Sequence, residues 1–349
     1  AALSGVWGFA RTVRIEHPSV CTLTTDVTAG TEVCGMVMHL HPSAHKKEPE
    51  TVVTRLGAHA PRLTRCADPH SSSSVARANG LHLLSGGLGG LGLRSARMLS
   101  EAGAAALLLS SRSGRATAAG GSSLQQLRTA CAVRVLAGDV GRLEDTEALL
   151  RATSALPHRL WGVQHAAGVL RDVLLRSMRA EHMEQSFAPK AFGAWHLQLS
   201  TAQHDVSTFV CFSSVASLAG NAGQANYAAG NAYLDGLVRQ RRAHSQTASS
   251  LQIPAVLGAG MGEATFGGER GVPQTLTISL DEFAQWLRVV VCMGTAGSLG
   301  MVNAGLLKAG LARDFTRQSS VDAAVVRRRP ARAVDASSLL TQVRSTLHD

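Results

Sequence analysis

Apolar runs of four to seven residues recur between residues 79 and 310, separated by stretches with helical periodicity. Short apolar runs bounded by turn residues predict buried strands, and apolar residues at helical spacing predict amphipathic helices. The predicted strands are Leu81 to Leu84, Ala105 to Ser110, Ala132 to Ala137, Leu160 to His165, Thr208 to Phe212 and Leu251 to Leu257. Helical patterns such as Leu91 to Gly103 and Thr146 to Ser154 lie between them. Because strands that alternate with helices form parallel sheets, the pattern predicts an α/β fold with a doubly wound parallel sheet.

The flanking segments differ in pattern from the middle of the chain. Two apolar runs before residue 79 predict further strands, namely Val33 to Met38 and Thr51 to Leu56. The sequence thus predicts a first region at 1–78, the sheet domain at 79–310, an Arg-rich linker at 311–337 and the start of a following domain at 338–349.

Composition narrows the class of protein. Hydrophobic residues make up 45% of the 349 residues, which is enough to bury a large core. No apolar run is long enough to span a membrane, and the six cysteines contain no CxxC pair, so neither a metal site nor a disulfide framework is expected. We therefore expect a cytoplasmic location. The chain opens with Ala-Ala-Leu-Ser and has no signal pattern, and we interpret it as a piece of a longer polypeptide.

A net charge of +10 fits a phosphorylated cofactor, an acidic protein partner, an anionic membrane or a nucleic acid. A solvated surface with clustered Arg explains the same charge. No basic residues alternate with aromatic ones, and aromatics are only 4% of the chain, so nucleic-acid binding is not expected.

A glycine-rich turn follows the first predicted strand of the sheet domain and opens a helix. Its residues are Ser85, Gly86, Gly87, Leu88, Gly89, Gly90, Leu91 and Gly92. Glycine lets the backbone approach a pyrophosphate closely, and the helix N-terminus presents free N–H groups to the anion. The turn predicts a dinucleotide site in a Rossmann-like fold, against the alternative of a purely structural glycine turn.

Cofactor choice is predicted by the end of the next strand, where Ser111 and Arg112 stand. Arg112 is 20 residues past Gly92, where NAD-specific folds place an acid for the ribose 2′-hydroxyl. A guanidinium binds a 2′-phosphate that a carboxylate would repel, so NADPH is favoured over NADH. The alternative is an exposed surface Arg.

Two further strand ends complete the predicted cofactor site. Asp139, followed by Val140, can accept a hydrogen bond from the adenine amino group or can cap the next helix. Ala166, Ala167 and Gly168 follow the fourth strand, where small residues leave room for the adenine and ribose.

The candidate catalytic residues are Tyr227, Asn231, Ser214 and Lys190. Asn231 is four residues after Tyr227 and shares its helix face, whereas Tyr233, the only other tyrosine, faces away and is interpreted as a packing residue. Ser214 ends the fifth strand 13 residues before Tyr227, and Lys190 lies 37 residues before it.

These residue types fit reduction of a ketone, which needs a hydride on carbon and a proton on oxygen. A nearby ammonium is expected to lower the pKa of Tyr227 and make it a usable acid. Ser214 can orient the carbonyl oxygen, Asn231 can hold a water that relays protons, and a nicotinamide supplies the hydride. Each residue also has an ordinary structural interpretation, as a wet helix tyrosine, a surface lysine or a strand-end turn serine.

The chain resembles the ketoreductase domains of polyketide synthases, within the short-chain dehydrogenase/reductase superfamily. The resemblance covers about residues 80–245 and rests on the glycine turn, Ser111-Arg112-Ser113-Gly114, His165-Ala166-Ala167-Gly168-Val169-Leu170 and Gly223-Gln224-Ala225-Asn226-Tyr227. It implies that Lys190, Ser214, Tyr227 and Asn231 are the catalytic set, because these domains exchange the usual Lys and Asn positions. The first region is similar to the non-catalytic, pseudo-Rossmann subdomain that precedes the catalytic domain in this family. The similarity rests on Trp7 to Arg11 and Glu16 to Pro18, and it implies that the first region is a truncated form of that subdomain.

The resemblance also implies where the substrate lies. Asp172, in Leu170-Arg171-Asp172, resembles the Leu-Asp-Asp marker of the subtype giving D-configured alcohols. Gln224, in the run that leads to Tyr227, is the second residue expected to contact the substrate or control stereochemistry. Position 171 departs from that marker, and Leu257-Gly258-Ala259-Gly260 replaces the usual Trp-Gly-x-Trp run. Residues 266–273 are interpreted as a lid with glycine hinges.

The leading hypothesis is therefore reduction of a β-ketoacyl thioester on an acyl carrier protein by NADPH, in polyketide or fatty acid synthesis, beside other synthase domains of a longer chain. A stand-alone reductase of small ketones is a second hypothesis, although the region at 1–78 argues against it. A non-catalytic dinucleotide-binding scaffold is a third, against which the complete candidate catalytic set argues.

Overall fold

The computed structural model describes residues 3–27, 49–54, 57–65, 78–258, 277–293, 297–301 and 340–344. The strands in chain order are β1 Thr24–Val27, β2 Glu50–Thr54, β3 Gly57–His59, β4 Arg62–Arg65, β5 Leu81–Ser85, β6 Ala106–Ser111, β7 Ala132–Ala137, β8 Leu160–His165, β9 Thr208–Ser214, β10 Ser249–Ile253, β11 Ala255–Val256, β12 Thr277–Ile278, β13 Gly297–Met301 and β14 Leu340–Arg344. The helices are α1 Ser4–Glu16, α2 Gly90–Glu101, α3 Ala118–Ala130, α4 Leu143–Ser154, α5 Ala180–Phe187, α6 Gly193–Ser200, α7 Val215–Ala219, α8 Ala225–Ala243 and α9 Leu280–Met293. A 3₁₀ turn lies at Leu175–Ser177 and a π-helical turn at Ala188–Phe192.

Seven parallel strands form the central sheet in the order β7-β6-β5-β8-β9-β10-β13. This is the strand order of a doubly wound fold, in which the chain reverses direction across the sheet between β5 and β8. The predicted parallel sheet and fold class are confirmed. Ligands bind such sheets at the carboxyl ends of the strands beside that reversal, which here means beside the glycine turn.

Alternate residues of the central strands supply the cores on the two faces of the sheet. Leu84, Leu107 and Leu109 pack with α2 and α9 on one face. Leu81, Leu83 and Leu108 pack with α4, α6 and α8 on the other. Both faces of β5 and β9 are buried along their whole length, which explains why most residues of these strands are apolar.

The predicted strand Leu251 to Leu257 is two strands in the structure, and this part of the prediction is wrong. Pro254 separates β10 from β11, because proline has no N–H to donate to a ladder. After the proline, β11 pairs with β12 and leaves the central sheet.

The first region packs directly on the sheet domain. Its small sheet has β1 parallel to β2 and β3 antiparallel to it, so the apolar run from Thr51 forms a strand as predicted. Helix α1, which the sequence did not predict, crosses α8 so closely that a Cβ on Gly8 would lie 2.2 Å from the carbonyl oxygen of Ala228.

A buried ion cluster connects α1 to β2. Glu50 is 2% exposed and accepts hydrogen bonds from Arg11 at 2.6 Å and from Arg14 at 2.8 Å. Burial acts to raise the pKa of Glu50, but the two guanidinium groups outweigh it and hold the pKa below its usual value.

The C-terminal described strand lies at the edge of the central sheet. Strand β14 pairs antiparallel with β13 at the edge of the central sheet, and β4 pairs antiparallel with β14, so residues 340–344 extend this sheet. The predicted strand from Val33 to Met38 and the linker at 311–337 lie outside the described residues. The division of the chain into domains otherwise stays a prediction.

Among the helices of the described ranges, none has the length and apolar character needed to cross a bilayer. The described residues also contain no group of three or more His, Cys, Asp or Glu side chains placed to hold a metal ion.

Candidate active site

The glycine turn between β5 and α2 requires glycine at specific positions. Gly86 has a φ of 70°, and a Cβ there would lie 2.7 Å from the carbonyl carbon of Ala166. A Cβ on Gly92 would lie 2.3 Å from the carbonyl oxygen of Gly86, so α2 packs directly on the turn. Gly89 precedes α2 and has no side chain to cap it, which leaves N–H groups of the first helical turn for an anion.

A cleft of about 440 Å³ opens above this turn at the carboxyl ends of the strands. Twelve of the fourteen predicted cofactor-binding residues line it, namely Gly86, Gly89, Gly90, Leu91, Gly92, Ser111, Arg112, Asp139, Val140, Ala166, Ala167 and Gly168. Four lining residues lie next to predicted ones and were not singled out, namely Ser110, Gly138, Val169 and Pro189.

Gly87 and Leu88 are the two predicted residues that the structure places differently. A Cβ on Gly87 would lie 2.8 Å from the carbonyl oxygen of Leu84, so this glycine faces the sheet. Leu88 is 3% exposed and belongs to the apolar core, although it also borders a second hollow beside the cleft.

The end of β6 supplies polar groups where the sequence predicts a 2′-phosphate. Arg112 is exposed and borders both the cleft and the adjoining hollow of about 580 Å³, which Arg115 also lines. The hydroxyl of Ser111 is buried and has no hydrogen-bond partner among the described residues. A hydroxyl without a partner, in a hollow that two arginines also line, can donate to an anionic ligand.

Of the two roles predicted for Asp139, the structure leaves only contact with a ligand open. Its Oδ1 accepts a hydrogen bond from the backbone N–H of Gly141 at 2.9 Å, which stabilises the loop before α4. Arg142 occupies the N-cap position of α4 and makes no side-chain capping bond, so the prediction that Asp139 caps this helix is wrong. Asp139 also lines the cleft, so its carboxylate has a route to a ligand.

The four candidate catalytic residues lie close together, and one of them, Lys190, directly follows Pro189 of the cleft lining. Ser214 ends β9, Tyr227 and Asn231 lie in the first two turns of α8, and Lys190 lies in the π-helical turn before α6. The Lys190 ammonium is 5.3 Å from the centre of the Tyr227 ring. Residues that are distant in sequence are therefore brought to one place by the sheet and by α8.

Lys190 is almost completely buried, with 2% of its surface exposed. Its ammonium donates a hydrogen bond to the carbonyl oxygen of Phe212 in β9 at 2.8 Å, and its stem packs against Gly230, where a Cβ would be 3.4 Å away. Burial lowers the pKa of Lys190 to about 8, while the nearby Cys211 and Asp235 act to raise it. The side chain is thus mostly cationic at neutral pH and is not the surface lysine of the alternative interpretation.

The pKa of Tyr227 moves opposite to the predicted direction. Protein atoms crowd the side chain, and this burial raises its pKa above the ordinary value, although the side chains of Asn231 and Ser214 act to lower it. The Lys190 ammonium lies over the ring face and is bonded to Phe212, rather than to the phenol oxygen. Tyr227 therefore stays protonated at neutral pH and is available as an acid.

Ser214 and Asn231 each have a structural hydrogen bond in addition to the group offered to the site. Ser214 Oγ accepts from the N–H of Ala216 at 3.2 Å and so caps α7. Asn231 Nδ2 donates to the carbonyl oxygen of Tyr227 at 2.8 Å, whereas its buried Oδ1 has no partner among the described residues. A buried amide oxygen without a partner is a place for an ordered water.

The predicted substrate-side residues contact each other. Gln224 Nε2 donates to Asp172 Oδ2 at 3.0 Å, which connects the loop after β8 to the start of α8. Leu257 and Gly258 are described at a turn after β11, but the rest of the run that replaces Trp-Gly-x-Trp, and the predicted lid at 266–273, lie outside the described residues.

Two residues that hold the loops around the candidate site, Asn226 and Glu16, were not predicted from the sequence. Asn226 donates from one amide nitrogen to the carbonyl oxygens of Arg171 and His182, each at 2.9 Å, and so fixes the start of α8. Glu16 at the end of α1 accepts from the N–H groups of Gly223 at 2.8 Å and Leu175 at 2.7 Å. Neither contact has a local signal, because the partners are far apart in sequence.

Comparison with known proteins agrees with this geometry. The family model described as "KR domain" matches residues 80–258, which is about half of the chain. The fold and cleft define a dinucleotide-binding protein of the doubly wound class, and the chain belongs to the KR domain family, the ketoreductase domains of polyketide synthases within the short-chain dehydrogenase/reductase superfamily. Members of this superfamily bind a nicotinamide dinucleotide.

Individual relatives are similar over most of the chain. Polyketide synthase GfsA of Streptomyces halstedii is 38% identical over 255 residues, which are 71% of this chain and 3% of that protein. A mycocerosic acid synthase-like polyketide synthase of Mycobacterium tuberculosis is 38% identical over 52% of this chain and 9% of its own length. A solved structure of A-type ketoreductases from a modular polyketide synthase has a TM-score of 0.76 at 30% identity, covering 85% of this chain and 63% of that one. The chain thus spans a small part of the synthases it matches.

Proposed function

We propose that this chain reduces a β-ketoacyl thioester, carried by an acyl carrier protein, to the β-hydroxyacyl thioester with NADPH as reductant. The single observation that carries the proposal is the convergence of Lys190, Ser214 and Asn231 around Tyr227, next to a cleft built on a glycine turn. The family's synthases support polyketide synthesis as the setting, beside other domains of a longer chain.

The cleft fits the proposed cofactor. The Gly86 turn and the start of α2 would hold the pyrophosphate, and Ser111 with Arg112 would hold the 2′-phosphate. When bound, NADPH supplies the hydride that reduces the carbonyl carbon.

The residues of the chain supply the proton and the orientation. Ser214 donates a hydrogen bond to the substrate carbonyl oxygen, and Tyr227 gives that oxygen its proton as the C=O double bond becomes a single bond. The Lys190 cation stabilises the phenolate left on Tyr227, because a positive charge 5.3 Å from the ring favours the anion. A water held by Asn231 returns a proton to Tyr227. The net charge of +10 favours docking of an acidic carrier.

The chain provides its own matched control, because Tyr227 and Tyr233 are its only tyrosines. NADPH oxidation is followed by absorbance with a β-ketoacyl thioester surrogate for wild type, Tyr227→Phe and Tyr233→Phe. Loss of a general acid is expected to lower kcat about 100-fold or more in Tyr227→Phe, with NADPH binding retained. Tyr233 packs edge-on against Phe187 at 5.8 Å between ring centres, so Tyr233→Phe is expected to keep wild-type activity.

Two results would reject the proposal. A wild-type protein that binds NADPH but does not oxidise it with the surrogate is a dinucleotide-binding scaffold and not a reductase. Equal activity of the two tyrosine variants would remove Tyr227 from the role of acid.

A further inference from the structure

The backbone around Lys190 has an unusual conformation. Residues Ala188–Phe192 form a π-helical turn between α5 and α6, with Pro189 at its start. Such turns are rare and are frequently found at functional sites. The wide turn leaves the carbonyl oxygen of Lys190 able to accept a hydrogen bond from a side chain outside the helix, in addition to the N–H of Gly193.

That side chain is His165, the last residue of β8. Its Nε2 lies 2.9 Å from the carbonyl oxygen of Lys190, and its Nδ1 lies 2.7 Å from the hydroxyl oxygen of Ser85, at the end of β5. His165 and Ser85 are both 0% exposed. The ring therefore connects the two central strands of the sheet to the turn that carries Lys190.

The hydrogen bonds define the protonation state of the ring. A carbonyl oxygen can only accept, so Nε2 carries a hydrogen and donates it to Lys190. Burial, together with the nearby Lys190 cation, lowers the pKa of His165 to about 3, so the imidazole is neutral. Nδ1 then has no hydrogen and accepts one from the Ser85 hydroxyl. Each polar atom of the ring has its proper partner.

Gly193 provides the space that this ring needs. A Cβ at that position would lie 2.9 Å from His165 Cε1 and 2.8 Å from Val140 Cγ2. The glycine that opens α6 thus allows the imidazole to reach the turn from the sheet.

Resting on the proposed function of Lys190, we propose that His165 is a positioning residue, which holds the Lys190 backbone so that the ammonium stays over the Tyr227 ring. Lys190 is then fixed at two points, its carbonyl oxygen by His165 of β8 and its ammonium by the Phe212 carbonyl of β9. The titratable groups that face Lys190 are His165 of β8, Cys211 of β9, and Tyr227 and Asp235 of α8.

Two substitutions at His165 separate the bond to Lys190 from the bond to Ser85. The amide of glutamine reaches about as far as Nε2, so His165→Gln can keep a donor to the Lys190 carbonyl. The shorter amide of asparagine reaches about as far as Nδ1, so His165→Asn can keep the Ser85 contact and loses the one to Lys190. Ser85→Ala leaves the Lys190 bond in place but removes the hydroxyl that orients the ring.

The first readout is the pH dependence of the reverse reaction, oxidation of a β-hydroxyacyl thioester, in which the Tyr227 phenolate is the base. Displacement of the Lys190 cation raises the pKa of Tyr227, so the rising limb of the profile moves to higher pH in His165→Asn and stays at the wild-type position in His165→Gln. We expect kcat about tenfold lower in His165→Asn, with the Kd for NADPH unchanged. A substitution that only destabilises the fold lowers the rate without moving the rising limb of the pH profile.

The second readout does not depend on activity. The chain has four lysines, so the Cε resonances of ¹³C-lysine can be followed through a pH titration, with Lys190→Gln identifying the resonance of Lys190. Its midpoint is expected near pH 8 in wild type and His165→Gln, and displaced in His165→Asn. Ser85→Ala is expected to show a smaller displacement, which keeps the test open if His165→Asn does not fold.

The outcomes distinguish this proposal from the proposed function. Unchanged Lys190 midpoints in His165→Asn and Ser85→Ala would overturn the positioning role, whatever the activity. A displaced midpoint in a protein whose wild type does not turn over would support the role of His165 and reject the reductase.

Discussion

Gly8 of α1 packs directly against the backbone of α8, and the substitution Gly8→Ala tests this contact. A Cβ there would lie 2.2 Å from the carbonyl oxygen of Ala228 and 2.7 Å from the Cβ of Ala232. Neither neighbour is the end of a flexible side chain, so α1 and α8 must move apart by about 1 Å to reach ordinary contact. Ala228 directly follows Tyr227, so the displacement reaches the candidate acid.

The magnitude follows from two opposing effects. Replacing glycine by alanine inside a helix stabilises it by up to about 1 kcal/mol. Overpacking a close contact costs about 1–3 kcal/mol, and a clash with backbone places Gly8 at the upper end. We therefore expect Gly8→Ala to lower the free energy of unfolding by about 2 kcal/mol.

Gly121 is the matched control for this substitution. It lies in the exposed α3, and a Cβ there would meet nothing within 4 Å, so Gly121→Ala is expected to stabilise the protein by about 0.5–1 kcal/mol. Urea unfolding followed by circular dichroism should show the midpoint falling in Gly8→Ala and rising in Gly121→Ala, with the same slope. Thioester reduction should fall only in Gly8→Ala. A Gly8→Ala protein as stable as Gly121→Ala would refute the close packing of α1 on α8.

Two further predictions concern charge. The lowered pKa of Glu50 means that its ion cluster stabilises the fold above the ordinary carboxyl value of 4.5 and that this stability is lost as the pH falls through the lower folded-state pKa. Glu50→Gln should therefore lower the unfolding free energy by about 2 kcal/mol at pH 7. The difference in urea midpoint between wild type and Glu50→Gln should shrink as the pH falls below 4.5. A difference that does not change with pH would contradict the ionised state of Glu50 in the cluster. Arg112→Gln should weaken NADPH binding about tenfold and leave NADH binding unchanged, as measured by cofactor fluorescence. Arg97→Gln, which removes an exposed Arg paired with Glu101, should change neither, and equal losses for both cofactors in Arg112→Gln would remove Arg112 from the 2′-phosphate.

The parts of the fold that could be predicted are those whose signal is local. Strands buried on both faces are rich in apolar residues, as β5 and β9 are, and this composition can be read from the sequence alone. Hydrophobic periods of two or 3.6 residues are local in the same way. Helix α1 could not be predicted in this way, because Gly5 and Gly8 weaken its helical propensity. The same two glycines allow α1 to contact α8, so tertiary packing outweighs the propensity that they cost.

In the candidate site, too, the features with a local sequence signal could be predicted and those that depend on tertiary packing could not. Tyr227 and Asn231 share a helix face by their spacing alone, and the glycine turn follows from its own sequence. Lys190 could be proposed from the chemistry that a tyrosine acid needs, and the family resemblance supported it, but nothing in a spacing of 37 residues places an ammonium over a particular ring. The direction of the Tyr227 pKa could not be predicted either, since it depends on how many protein atoms surround the phenol and on where the ammonium is bonded.

The contacts of α1 show why the first region and the sheet domain form one working unit in the described structure. Glu16 accepts the N–H groups of Gly223 and Leu175, which belong to the two loops joined by Asp172 and Gln224. Arg11, held by Glu50, donates to the carbonyl oxygen of Ser217, in the short helix that Ser214 caps. Because these bonds reach the backbone on both sides of Tyr227, α1 and β2 of the first region help to determine the geometry of the candidate site. The sheet domain supplies the candidate reacting groups, whereas the geometry of those groups depends on the sheet domain and on the first region together.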